Sequence, residues 1–214
     1  MLIETFESGP YQTNGYIVAD ERSARAVIID VPLDAAAPMR AWLRERDCAA
    51  TAIVLTHGHF DHVGEVRALS EQLAVPVYIH EGDVAMLREP MAAFAGLDVH
   101  VEGMEARALL AHGQTVECGV LRLEVLHVPG HTPGHIALYE AAQGRLFCGD
   151  VLFYGSIGRT DLPGGDYQTL MTSITELLLT LPDDTIVYSG HGPTTSIGYE
   201  RLHNPFILDY LDHF

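Results

Sequence analysis

The segment His57-Gly58-His59-Phe60-Asp61-His62 places four potential metal ligands within six residues. It follows a short apolar run, residues 51–56, that reads as a buried strand. Side chains two apart in an extended chain share a side, so His57 and His59 can converge on one cation. Asp61 and His62 lie past the bend and can face a second. Imidazole and carboxylate are ligands that divalent zinc, iron and manganese accept. Gly58 lets the backbone turn without a side chain blocking the ions. The plain alternative is a surface histidine cluster, and three His with one Asp seldom gather by accident beside a buried strand.

Three later positions repeat one device: an apolar strand, a glycine, then a ligand type. His131 follows residues 121–128 through Pro129-Gly130. Asp150 follows 146–148 through Gly149, and His191 follows 185–189 through Gly190. Glycine there lets the chain turn sharply and carry a ligand over the end of a sheet. Loops held at one end of a rigid scaffold are common places for function. His135 and Asp30 are expected to support ligands, since ligand histidines usually have oriented outer partners. His80, His100, His112, His127, His203 and His213 lack such a context and read as structural or solvated. Phe60, Phe153 and Tyr154 are candidates to line a pocket.

The elements that must position these residues follow from period and punctuation. Residues 2–6, 14–19 and 24–30 read as strands, separated by turn signals such as Ser8-Gly9-Pro10. Asp34 is placed to cap a helix running to about Arg46, with Trp42 and Leu43 on its buried side. Helical spacing marks 63–73, a strand 75–80, and a short helix 81–88. The stretch 90–113 is expected to be a helix or loop covering one edge of the site. Strands return at 115–118, 121–128, 136–140 and 146–148. A helix is predicted over 167–179, a last strand over 185–189, and helical segments over 198–203 and 205–211. This order, β-rich then α/β and again β-rich then α/β, suggests two sheets packed face to face with helices outside.

Composition narrows the chemistry. The 214 residues are enough for one sizeable core, and 48% hydrophobic with 19% charged content is that of a soluble globular chain. One domain over 1–214 is the expectation. The formal charge is −17 and none of the 12 basic residues is lysine. An acidic surface repels phosphate backbones, so nucleic acid is not an expected partner. Without lysine there is no Walker, Schiff-base or kinase-type lysine. No G-x-S-x-G elbow offers a serine nucleophile. Cys48, Cys118 and Cys148 are far apart and odd in number, which reads as reduced thiols. The opening Met1-Leu2-Ile3-Glu4-Thr5-Phe6 has no signal-peptide pattern, and no run is long enough for a membrane span. A cytoplasmic protein with no membrane partner is expected.

With these residues in hand, the chain resembles the metallo-β-lactamase superfamily. The resemblance rests on T-H-G-H-F-D-H at 56–62, P-G-H-T-P-G-H ending at His135, F-C-G-D ending at Asp150, and S-G-H ending at His191. Their order and spacing match over nearly the whole chain. Within that superfamily it is similar to the short glyoxalase II-like proteins, the hydroxyacylglutathione hydrolase family. The passage 149–166, and Ile197-Gly198-Tyr199-Glu200 followed by Asn204-Pro205-Phe206, carry that narrower likeness. The resemblance implies an αββα sandwich of two mixed sheets flanked by helices. It implies two divalent ions, zinc first and iron or manganese as alternatives. One ion would take His57, His59 and His131; the other Asp61, His62 and His191; Asp150 would bridge them. Asp61 would also orient the nucleophile or receive its proton.

The implied reaction is hydrolysis of a small thioester, with S-lactoylglutathione the type substrate. Arg159 matches a position that carries a basic residue toward the substrate's carboxylates; the alternative for it is a salt bridge to Asp161 or Asp166. Long glyoxalase II enzymes add a helical C-terminal domain and a glutathione-binding tyrosine where this chain has Gly192-Pro193-Thr194. A thioester site lacking much of the glutathione grip is therefore expected, with another thioester or a lactone as the alternative substrate. Persulfide dioxygenases of the same superfamily form the first rival, since they share an arginine-threonine-aspartate like Arg159-Thr160-Asp161 and hold a single iron. A non-catalytic metal-binding protein is the second.

Overall fold

Strands β1 (Leu2–Ser8), β2 (Thr13–Asp20) and β3 (Arg25–Ile29) form an antiparallel meander, paired from Leu2↔Ala19 to Ser8↔Thr13 and from Tyr16↔Ile29 to Asp20↔Arg25. The computed structural model describes residues 1–90 and 100–213. Every residue of β2 is buried. Its period of two sends Tyr16 and Val18 to one apolar cluster and Ile17 and Ala19 to another.

Helix α1 (Ala36–Glu45) then crosses to β4 (Ala49–Val54), parallel to β3, and α2 (Val66–Leu73) crosses to β5 (Val77–His80), parallel to β4. Met39, Trp42 and Leu43 of α1 and Val66 and Leu69 of α2 fill the outer face of this sheet. The short helix α3 (Val84–Arg88) precedes the edge strand β6 (Ala108–Leu110), so the first sheet runs in the order β1 to β6.

The second sheet is built from β7 (Thr115–Cys118), β8 (Leu121–His127), β9 (Ile136–Glu140) and β10 (Arg145–Gly149). A small hairpin, β11 (Leu152–Phe153) and β12 (Ser156–Ile157), leads to helix α4 (Tyr167–Thr172). Strand β13 (Ile186–Ser189) returns parallel to β10, and β14 (Thr195–Ser196) closes the edge. The order is β14-β13-β10-β9-β8-β7. Helices α5 (Ile197–His203) and α6 (Pro205–His213) pack outside it with α4.

Between the sheets lies the central core, with Val18, Ile29, Val54, Leu123, Val125, Ile136, Leu138 and Phe147 together. Burying a side chain such as the fully buried Phe147 stabilises by about 1.5–3 kcal/mol. The Tyr16 hydroxyl donates to the Ser189 carbonyl, which ties the first sheet to the second. The architecture is the expected αββα sandwich. No described helix is long and apolar enough to cross a membrane.

Several local expectations are corrected. Asp34 does not cap α1: it is exposed with a φ of 66°, and the Ala36 N–H donates instead to Glu65 Oε2 at 2.8 Å. A carboxylate from the turn before α2 thus satisfies the first helix, which no local pattern reveals. Helix α2 starts at Val66 because residues 63–65 belong to the loop after the histidine segment. The helix expected over 167–179 is present but widens into a π-turn at Ser173–Leu177 and tightens into a 3₁₀ turn at Leu178–Thr180. In the stretch expected to cover the site, residues 91–99 lie outside the described residues, and Ala108–Leu110 is an edge strand.

Candidate metal centre

Five strands end at one rim of the sandwich, and each leads to a polar residue there. The parallel pair β3 and β4 leads to Asp30 and to the loop 56–62. The parallel pair β10 and β13 leads to Asp150 and His191. His131 follows β8. All seven candidate ligands are brought together by this convergence.

Two of the preceding glycines are required by space. A Cβ on Gly190 would lie 2.0 Å from Asp150 Oδ1 and 2.7 Å from His62 Cε1. Gly149 has a φ of 48°, and its Cβ would lie 2.6 Å from Thr56 Oγ1. A side chain at 190 would enter the space that candidate ligands share, and one at 149 would collide with Thr56 and His135.

The inward atoms form two groups about one carboxylate. Ligand atoms of His57, His59 and His131 lie within 4.8 Å of one another, as do those of Asp61, His62 and His191. His131 Nε2 is 2.9 Å from His59 Nδ1. His191 Nε2 is 3.3 Å from Asp61 Oδ2. Asp150 stands between: Oδ1 is 3.2 Å from His62 Nε2, and Oδ2 is 3.4 Å from His191 Nε2 and 3.6 Å from His131 Nε2.

The outward nitrogens of His57, His62, His131 and His191 are held by oxygen. His62 Nδ1 lies 2.8 Å from Asp30 Oδ2, and His131 Nδ1 lies 2.7 Å from the Arg159 carbonyl. His191 Nδ1 is 3.0 Å from the Tyr11 carbonyl. Thr56 Oγ1 donates to Asp30 Oδ2 at 2.7 Å, so its lone pair is free to accept from His57 Nδ1 at 3.0 Å. Each such bond assigns a proton to the outer nitrogen and makes the inner one the nitrogen that a cation can take. His57 Nε2, His62 Nε2 and Asp150 Oδ1 are buried with no hydrogen-bond partner. Buried polar atoms without partners are costly, and a cation shared by converging donors relieves them. The residues present therefore fit a pair of metal ions.

Electrostatics point the same way. Burial and the neighbouring His62 hold His57 well below the ordinary histidine range, and burial with His131 lowers His59 to about 4. For His62 burial works downward, yet Asp150, Asp61 and Asp30 around it push it well above that range. Burial would raise Asp150, but His62 and His191 hold it well below the carboxylate range. His191 is lifted to about 9 by Asp150 and Asp61 against its burial. Three carboxylates thus gather positive charge here, which divalent cations supply in greater measure.

The outer ring contains expected and unexpected members. Asp30 supports ligands as expected, accepting also from the Thr56 N–H at 2.8 Å. His135 stacks on His57 with ring centroids 4.6 Å apart, and its Nε2 accepts from the Asp150 N–H. Asp83 is the unexpected member. It is fully buried and accepts from the Gly58 N–H at 3.0 Å, Thr132 Oγ1 at 2.6 Å and the Gly134 N–H at 2.6 Å. One carboxylate thereby joins the loop of His57–His62 to the loop of His131. The motif-like His80-Glu81-Gly82-Asp83 carries no local sign of that long-range role.

A cavity of about 310 Å³ opens over this cluster. His59, Asp61, His131, Asp150 and His191 form its polar floor, and Tyr11, Phe60, Met86, Leu162 and Pro163 its apolar walls. Phe60 lines it as expected. Phe153 and Tyr154 are not among the described lining residues: Phe153 packs beside His191, and Tyr154 stacks on Tyr199. Arg159 reaches the rim, and its Nε and Nη2 donate to both carboxylate oxygens of Asp161 at 2.7 and 2.8 Å.

A family model for the metallo-beta-lactamase superfamily matches residues 8–191. The chain belongs to the metallo-β-lactamase superfamily. Among its superfamily relatives, a hydroxyacylglutathione hydrolase, GloC, of Haemophilus influenzae is 38% identical over 97% of this chain and 98% of its own length. A probable metallo-hydrolase, YqgX, of Bacillus subtilis is also 38% identical, covering 93% of this chain and 94% of its own. Among solved superfamily structures, the BLEG-1 B3 metallo-beta-lactamase superposes with a TM-score of 0.90 at 40% identity, over 96% of this chain and 99% of that one. TTHA1623 in a di-iron-bound form gives 0.85 at 40% identity, covering 95% and 99%. ETHE1 from Myxococcus xanthus gives 0.81 at 29% identity, covering 99% and 90%.

Proposed function

We propose that this metallo-hydrolase cleaves small acyl thioesters in the manner of glyoxalase II, with S-lactoylglutathione or a related acyl thioester as substrate. The observation that carries the reading is the two-sided histidine arrangement: outer nitrogens held by oxygen, inner ones converging around Asp150. The ligand division follows the two groups, His57, His59 and His131 for one ion and Asp61, His62 and His191 for the other, with Asp150 between. Zinc is the first choice, while imidazole and carboxylate donors serve iron and manganese too, and the di-iron form of TTHA1623 supports iron as a rival.

Two such ions, when bound, supply an acidified water and Lewis-acid stabilisation of a developing oxyanion. The chain's own residues do the rest. Thr13 Oγ1 donates to Asp61 Oδ2 at 2.9 Å and fixes that carboxylate at the cavity floor. So fixed, Asp61 orients the attacking water and takes its proton. The apolar walls seat the acyl and thiol portions and exclude bulk water. Arg159 meets a carboxylate of the thiol portion at the rim. The GloC relative supports the thioester; the partner is then a small molecule, with no part for nucleic acid or a membrane.

The second reading, a persulfide dioxygenase with one iron, is favoured by the run Arg159-Thr160-Asp161. Elemental analysis of freshly purified protein, combined with rates on S-lactoylglutathione, a β-lactam and glutathione persulfide, tests the choice. Two metals per chain with thioester hydrolysis are expected. One iron with oxygen uptake on the persulfide would overturn the hydrolase.

A further inference from the structure

We propose that Asp161 is a specificity-determining residue: its carboxylate occupies the guanidinium fork of Arg159 and yields it to a carboxylate on the substrate. The choice of a thioester as probe rests on the proposed function, whereas the exchange itself is a matter of anion binding.

Four observations carry this. The pair is bidentate, with both carboxylate oxygens taken, which is the geometry a substrate carboxylate would need. Among the described lining residues Arg159 is the one permanent cation, facing a floor that holds Asp61 and Asp150 in a chain of net charge −17. An anionic substrate has no other arginine to meet among the described residues that line this cavity. The backbone that carries the fork is held, because the Arg159 main-chain carbonyl accepts from His131 Nδ1 at 2.7 Å. The tip is free to exchange: the Arg159 and Asp161 side chains are 60% and 69% exposed.

Exposed ion pairs are weak, so replacing one carboxylate by another costs little and leaves no charge stranded. Asp161 also keeps simple anions from occupying the fork, since a monodentate ion cannot match a bidentate partner two residues away. The resident carboxylate therefore sets a threshold that a substrate passes only when the cavity floor and walls hold the rest of it in register.

The test compares the metal-loaded parent with Asp161→Asn, Arg159→Gln and the double variant, using Asp184→Asn as an exposed control with the same change of charge. The rates are the kcat/KM on S-lactoylglutathione and on the uncharged thioester S-acetyl-N-acetylcysteamine. For D161N the ratio of anionic to neutral substrate should rise about two- to fivefold, through KM, and the rise should shrink in high salt. In the R159Q background the Asp161 substitution should add nothing. Calorimetric titration with glutathione alone should tighten in D161N and not in D184N. An unchanged ratio and equal titrations in parent and D161N, including no heat in either, overturn the proposal, as does a rise that persists without Arg159. Absence of thioester turnover in the parent would count against the reaction, and the glutathione titration would still decide Asp161.

Discussion

Asp30 and His62 meet at 2.8 Å although they lie on different connections, one at the end of β3 and the other past the end of β4. Asp30 has a φ of 57°, an uncommon conformation that aims its carboxylate at His62 Nδ1, the Thr56 N–H and Thr56 Oγ1 together. Loss of this carboxylate frees His62 to rotate and leaves a buried N–H unpaired. Asp30→Ala should weaken metal binding about 10–100-fold, the usual cost of removing an outer partner. Competition with a coloured chelator reads this directly, and unchanged affinity would refute the supporting role.

Asp83 should matter to both fold and site. Asp83→Ala strands the Gly58 and Gly134 N–H groups in a buried place and should lower stability by roughly 2–4 kcal/mol. Metal affinity should fall with it, because two ligand loops lose their common anchor. Denaturant melts of metal-loaded protein paired with metal titration provide the check; a destabilised variant with parental metal affinity would limit Asp83 to the fold.

Gly190→Ala places a Cβ against Asp150 Oδ1. The variant should fold, since the backbone there is not in the left-handed region, yet bind less than two equivalents of metal and lose most of its hydrolytic rate. Far-ultraviolet circular dichroism with elemental analysis separates these outcomes.

Asp61→Asn keeps the shape of the side chain and the bond from Thr13, but removes its basicity and weakens its hold on a cation. A fall in kcat of about 10²–10⁴-fold, with KM nearly unchanged, is expected from loss of proton transfer. A variant with full metal content and full rate would remove Asp61 from the mechanism.

The metal-free chain should be most stable near pH 6.5. His191 is raised to about 9 by Asp150 and Asp61, so it binds its proton more tightly folded than unfolded. Its contribution is complete below the ordinary value of 6.5 and is lost as pH rises toward about 9. His59 is lowered to about 4 by burial and His131, so the folded state resists its protonation. Stability from that group falls as pH drops from 6.5 toward about 4. Thermal melts of chelator-treated protein across pH 5–9 should peak in the middle. In the metal-loaded protein both limbs should flatten, because the same nitrogens hold cations instead of protons.

Much of this was legible in the residues. Four potential ligands within six positions, and a glycine before Asp150 and His191, are local patterns, and local backbone geometry makes them meaningful wherever they sit. The strands of both sheets were also readable, because period and β-branching report a strand without reference to its partner. What stayed out of reach depends on groups distant in the chain. Glu65 caps α1 from 29 residues away. Asp83 reaches Gly58 and Gly134 across 25 and 51 residues. The backbone carbonyls of Tyr11 and Arg159, which orient His191 and His131, carry no side-chain signature at all. The sequence by itself thus determined which groups are available for chemistry and the strands that end beside them. Only the tertiary structure decided which nitrogens of His62, His131 and His191 face inward, because hydrogen bonds to Asp30, Arg159 and Tyr11 on distant loops set those orientations, and that Arg159 takes Asp161 rather than Asp166.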